Sequence, residues 1–90
     1  MLQVNIKHKS DGPSVRIETL YDDDILLKEF DNETGKIDIE VCRPYINKEI
    51  KVNHIFDNET NNYTVRGILQ GIITDAATGL KSIKYQTMEG

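Results

Sequence analysis

The side chains best suited to acid-base or metal chemistry in this 90-residue chain are two histidines, His8 and His54, and a single cysteine, Cys42. No two of them stand at a recognised ligand spacing, and zinc sites declare themselves as spaced Cys/His pairs. His54 falls on the apolar side of the alternating run Ile50-Lys51-Val52-Asn53-His54. The expected state there is a part-buried imidazole with a hydrogen-bond partner, not a catalytic base. Cys42 reads as a small apolar residue near a strand end. No phosphate-cradling glycine loop, nucleophile elbow or paired-histidine motif occurs. The expectation is a protein that is not an enzyme and uses no cofactor or metal.

Two other constellations suit recognition. Asp22, Asp23 and Asp24, with Glu18 close by, could gather oxygen ligands for a hard cation, but they lack the Asp-x-Asp-x-Asp-Gly order that wraps one loop around an ion. They read as a solvated acidic loop, whose functional use is electrostatic contact with a basic partner or competition for a nucleic-acid site. The segment Arg43-Pro44-Tyr45-Ile46-Asn47-Lys48 places one aromatic between cations, and is either a plain crossover loop or a contact surface. The partner-binding candidates are therefore Asp22, Asp23, Asp24, Arg43, Tyr45 and Lys48.

The elements that must position these residues read as strands. Leu2, Val4 and Ile6 alternate with polar residues, and Val15, Ile17 and Thr19 resume the alternation after the turn-forming Lys9-Ser10-Asp11-Gly12-Pro13. Residues 22–30 admit two readings. One is a short helix opened by the aspartates. The other, preferred, is a strand pairing Ile25-Phe30 with Ile37-Cys42 across the turn Asp31-Asn32-Glu33-Thr34-Gly35. The most regular hairpin pairs Phe56 with Tyr63, His54 with Val65, Val52 with Gly67 and Ile50 with Leu69, across Asp57-Asn58-Glu59-Thr60-Asn61. A third, across Asp75-Ala76-Ala77-Thr78-Gly79, pairs Ile72 with Ile83 and Gln70 with Tyr85.

All three turns share a mechanism. The leading Asp accepts backbone N–H bonds, and the fifth residue, Gly35, Asn61 or Gly79, enters the left-handed region. The segment from Phe30 to Ile37 resembles the turn of the designed hairpin chignolin, with Asn32 where that peptide has proline, and the resemblance implies local structure only. The recurrence of Phe-Asp-Asn-Glu-Thr at 30–34 and 56–60 is convergent turn chemistry, because the flanking side chains differ. The second hairpin buries odd positions of 63–69, whereas the third buries Ile72. One long strand over 63–74, bent near Gly67 and Gly71, reconciles them.

The expected fold is thus all-β: one domain over 1–90, an antiparallel hairpin meander of about seven strands forming a small barrel or sandwich, with the short helix at 22–30 as the competing detail. Composition fits a compact globular domain, 38% apolar and 29% charged. The lone cysteine and a start without a charged head and apolar block are expected of an unexported, cytoplasmic protein. Asn32, Asn58 and Asn62 match the glycosylation pattern, which carries no weight without export.

The net charge of -4 divides unevenly: residues 1–40 hold five Lys/Arg against ten Asp/Glu, and the remainder six against five. Nonspecific coating of nucleic acid is disfavoured by the acidic half. Function is expected to be that of a small binding or assembly module for a protein partner or further copies of itself, in general character like the virion components and host-factor inhibitors of phages. A nucleic-acid-binding barrel of the OB or SH3-like kind, using Tyr45 and the basic second half, is the alternative.

Overall fold

The computed structural model describes residues 1–9, 15–57 and 61–88. Six strands, β1 (Leu2–His8), β2 (Val15–Asp22), β3 (Ile25–Glu29), β4 (Glu49–Phe56), β5 (Tyr63–Thr74) and β6 (Lys81–Thr87), form one sheet in the order β3-β2-β1-β4-β5-β6. A 3-10 helix, Ile39–Tyr45, lies in the connection from β3 to β4. The all-β expectation holds, and the sheet curls toward a barrel without closing.

Its centre differs from a pure meander, because β1 and β4 run parallel, with Val4 opposite Val52. Parallel neighbours need a long crossover, and residues 30–48 supply it. These residues were expected to give a strand against β3, but β3 instead folds back on β2 through Asp23 and Asp24, Asp23 taking φ 51°. The helix reading of 22–30 is therefore replaced by a tight turn and a strand. The Asp31–Gly35 turn forms as expected: Gly35 donates to the Asp31 carbonyl at 2.8 Å, Glu33 N–H to the Asp31 carboxylate at 2.8 Å, and Gly35 has φ 69°. What it joins is only an isolated bridge, Asp31 to Lys36. The apolar residues beyond it serve as a cover for the sheet: Ile39 and Cys42 are buried, and Ile37, Val41, Tyr45 and Ile46 pack around them. Cys42 thus lies in the 3-10 helix rather than at a strand end.

The inner face of the sheet follows the period-two pattern, with Leu2 and Val4, Ile50 and Val52, Leu20, Leu69 and Ile83 buried. Three extra residues adjust parity. Glu18 is skipped between β1 and β2, so Leu20 turns inward and Thr19, expected inward with Ile17, turns out opposite Asn5. Leu27 is skipped between β2 and β3, and Gln70 between β5 and β6. The last is the expected break in a single strand over Tyr63–Thr74, and it moves Tyr85 from Gln70 to Leu69 while Ile72 keeps Ile83.

Gly67 has a separate duty. A Cβ there would meet the Gln86 carbonyl oxygen at 2.5 Å and Tyr85 Cδ2 at 3.1 Å, so the glycine lets β6 and the tyrosine ring close over the strand.

The β4–β5 hairpin has the expected faces but a register two residues away, His54 opposite Tyr63, Val52 opposite Val65 and Ile50 opposite Gly67. An even shift preserves every side chain's face. The Asn62 side chain accepts the Phe56 N–H at 2.9 Å, closing the longer loop. Asn61 takes the left-handed conformation, φ 64°, and Gly79 does so in the third turn, φ 73°. Residues 10–14 and 58–60, on which most of the Lys9-Ser10-Asp11-Gly12-Pro13 turn and the middle of the turn from Asp57 to Asn61 fall, lie outside the described residues.

Candidate functional site

The 3-10 helix seals only one end of the inner face. Beneath it Leu2, Leu20, Ile50, Val52 and Leu69 are fully enclosed, as is the helix's own Cys42. Toward the other end the same strands carry Ile6, His8, Ile17, His54, Phe56 and Tyr63, none of them buried, and Tyr63 is 50% exposed.

The open end contains a cleft of about 470 Å³, within the ~300–1,000 Å³ range common to binding pockets. Its floor and walls include Ile6, Ile17, Phe30, Ile37, Leu80 and Ile83. β2 and β6, far apart in the sheet order, thus border one space, so the cleft occupies the gap that keeps the curled sheet from closing. Ser82 also lines it, although its neighbours Lys81 and Ile83 are the inward positions. Arg16, Lys36, Lys81 and Asp38 stand at its rim. Arg16 is paired with Glu18 and its guanidinium lies 4.1 Å from the Phe30 ring centre; Lys81 is paired with Glu40. Lys36 has no ion pair among the described residues. The Asp38 carboxylate caps the 3-10 helix, accepting Glu40 N–H at 3.0 Å.

Beside the cleft, His8 Nε2 and His54 Nδ1 lie 2.7 Å apart. One ring must donate and the other accept. His8 also stacks on Phe56 and His54 on Tyr63, at centroid distances of 4.4 and 4.5 Å. Burial, and then the charge of His8, hold the His54 imidazole below its ordinary pKa. The rings point at each other rather than at a common third point, and among the described residues no group of three His, Cys, Asp or Glu side chains is placed to hold a metal.

The partner-binding candidates divide. Asp22 and Tyr45, distant in sequence, are joined: the Tyr45 hydroxyl donates to Asp22 Oδ2 at 2.7 Å, and the Met1 amino group contacts Asp22 and Asp23 at 3.1 Å each. The tyrosine hydroxyl and the amino group lower the Asp22 pKa, and the same bond raises that of Tyr45. Lys48 lies 6.0 Å from the Tyr45 ring centre, and the ring is half-buried against the core. Arg43 turns to Glu40 at 2.7 Å, and Arg43 and then Lys81 hold the Glu40 pKa at about 2. Asp24 is exposed at the β2–β3 turn. Much of this set thus ties the crossover to the sheet. The cleft and the β6 edge were not singled out from sequence. The one signal was Leu80, an apolar residue directly after a turn glycine, which is 50% exposed.

The outer face has no covering layer among the described residues. Thr19, Asn5, Asn53 and Thr64 form a hydrogen-bonded ladder across β2, β1, β4 and β5, with links of 2.8, 2.7 and 2.8 Å. Lys7 and Lys51, two residues along from Asn5 and Asn53, flank it without ion pairs among the described residues, as does Lys84 farther off on β6 opposite Gly71, while Arg66 is paired with Glu49.

Compared with known proteins, the chain matches no family model, and no curated protein or solved structure matches it. No helix among the described residues is long and apolar enough to cross a membrane.

Proposed function

We propose that this chain is a small non-enzymatic protein-binding or assembly module that engages its partner at the open end of the sheet. The observation that carries the reading is the coincidence of an unpaired strand edge, β6, with an apolar cleft beside it. An edge offers directional backbone hydrogen bonds, and a cleft offers the apolar contact that makes such a bond selective. Affinity capture from the native host, followed by reconstitution of the identified partner from purified components, tests this. The expected result is a defined complex, or a defined oligomer of the chain itself, that persists at moderate salt.

A second reading has its own observation, Lys7, Lys51 and Lys84 on the outer face, without ion pairs or a covering layer among the described residues. It predicts binding to single-stranded nucleic acid with a steep salt dependence that is lost on Lys51→Ala and Arg66→Ala. That outcome, without a protein complex, would replace the module reading.

A further inference from the structure

We propose that the partner presents an extended segment, alternating apolar and acidic residues, which adds to the free edge of β6 and drops its apolar side chains into the cleft between β6 and β2. The inference rests on the module reading and specifies its partner.

The two edges of the sheet are unlike. β3 has five residues, is interrupted by the extra residue Leu27, and so presents a short, kinked edge. Such features discourage strand addition. β6 has seven residues, and the irregularity of its pairing lies in β5. Its regular backbone offers an edge of roughly 23 Å at about 3.3 Å per residue. A compact small molecule cannot satisfy a row of N–H and C=O groups of that length, whereas a peptide strand can.

An added strand also puts side chains i and i+2, about 6.6 Å apart, on the inner side. That is where Ile83, Leu80 and Ile37 line the cleft. The intervening residues fall on the outer side, level with Lys84, which is exposed and has no ion pair among the described residues. The strand Lys81-Ser82-Ile83-Lys84-Tyr85-Gln86-Thr87 contains no acid and two lysines, of which Lys81 is paired with Glu40 and Lys84 has no ion pair among the described residues, and Lys36 adds a second such cation at the cleft. Opposite charges across a strand pair stabilise it and like charges oppose it. A second copy joined edge to edge in the fully overlapped antiparallel register would set Lys84 against Lys84, so a foreign acidic strand is the better complement.

The test selects displayed random peptides of about eight residues, long enough to span β6, on the full chain. The winning sequence is then studied as a synthetic peptide by titration and amide hydrogen exchange. Expected are apolar residues at alternate positions with acids between them, and slowed exchange confined to 81–87. N-methylation of alternate peptide amides should weaken binding about tenfold or more, because it removes the ladder bonds. Leu80→Glu, at an exposed position, should weaken it comparably while leaving the exchange of the sealed core unchanged. Lys84→Glu should shift selection toward basic peptides.

Failure to select any peptide, selection of helical peptides, or protection on β3 or the outer face overturns the inference. So does a dimer of the chain alone that protects 81–87. A reconstituted partner bound in the cleft without joining β6 would leave the module reading standing while the strand-addition inference falls; loss of both follows if no protein complex forms or if the partner binds away from the open end.

Discussion

The two ends of the inner face are built from the same four central strands and behave differently. At one end the 3-10 helix adds Cys42 and Ile39 to the buried cluster of Leu2, Leu20, Ile50 and Leu69, with Ile39 also bordering the cleft. At the other, the strands continue as Ile6, His8, Ile17, His54 and Phe56 with no comparable lid among the described residues. An apolar stripe that outruns its cover is what a binding cleft requires and what a minimal core does not. The comparison separates residues enclosed in the core from residues that stay partly exposed.

Substitutions at the two ends should diverge most. Leu20→Ala or Leu69→Ala removes a fully buried side chain and should destabilise by about 2–5 kcal/mol in chemical denaturation. Leu80→Ser or Val15→Ser, at positions 50% and 55% exposed, should stay within about 0.5 kcal/mol of the parent. Equal losses at both ends would erase the distinction. Gly67→Ala sits between these extremes. The new methyl group meets a backbone carbonyl, so β6 must move, at a cost of about 1–3 kcal/mol and with faster amide exchange in 83–87.

Thiol chemistry tests the seal directly. Burial pushes the Cys42 thiol up to about 11. A disulfide reagent should therefore modify it only as fast as the domain unfolds, and rapid labelling under native conditions would show that the sealed end opens locally.

The smallest effect belongs to the open end. Because the folded His54 has a lowered pKa, the unfolded chain takes up the proton first, so this group costs stability as pH falls through about 6.5, the unfolded value. Melting temperature should decline modestly from pH 7 to 5, and less in His54→Gln. The carboxylates act in a lower window. Asp22 and Glu40 have lowered folded pKa values, so their contribution is complete above the unfolded value and disappears as pH falls, for Glu40 between about 4.5 and about 2. A decline in the His54→Gln chain equal to the parent's between pH 7 and 5 would remove the histidine pair as its cause.

Much of the candidate site was illegible in the residue order for a plain reason. Asp22 and Tyr45 each carry a visible polar signature, and each attracted notice separately, but their hydrogen bond depends on the crossover passing over β2. The cleft has no signature at all, since Ile6, Ile17 and Ile83 look like every other inward residue until one asks how far the covering helix reaches. A seven-residue 3-10 helix, Ile39–Tyr45, spans roughly 14 Å at about 2 Å per residue, shorter than the strands it covers.

By itself the sequence determined the six strand segments, though it also expected one at Ile37–Cys42, the inward parity of β1, β4 and the two halves of β5, the Asp31 and Asp75 turns, and the left-handed Gly35, Asn61 and Gly79. These are local properties: side chains alternate across a strand every two residues, and a turn's conformation is set by the few residues within it. Tertiary structure alone decided which strand lies beside which, the parallel β1–β4 pair, the return of β3 onto β2 and the two-residue register shift of β4 on β5. Backbone donors and acceptors are alike at every non-proline residue, so pairing is chosen by which arrangement buries the most apolar surface over the whole chain. That choice placed Ile37, Ile39 and Cys42 over the sheet instead of within it, and left β6 beside a cleft with its edge unpaired.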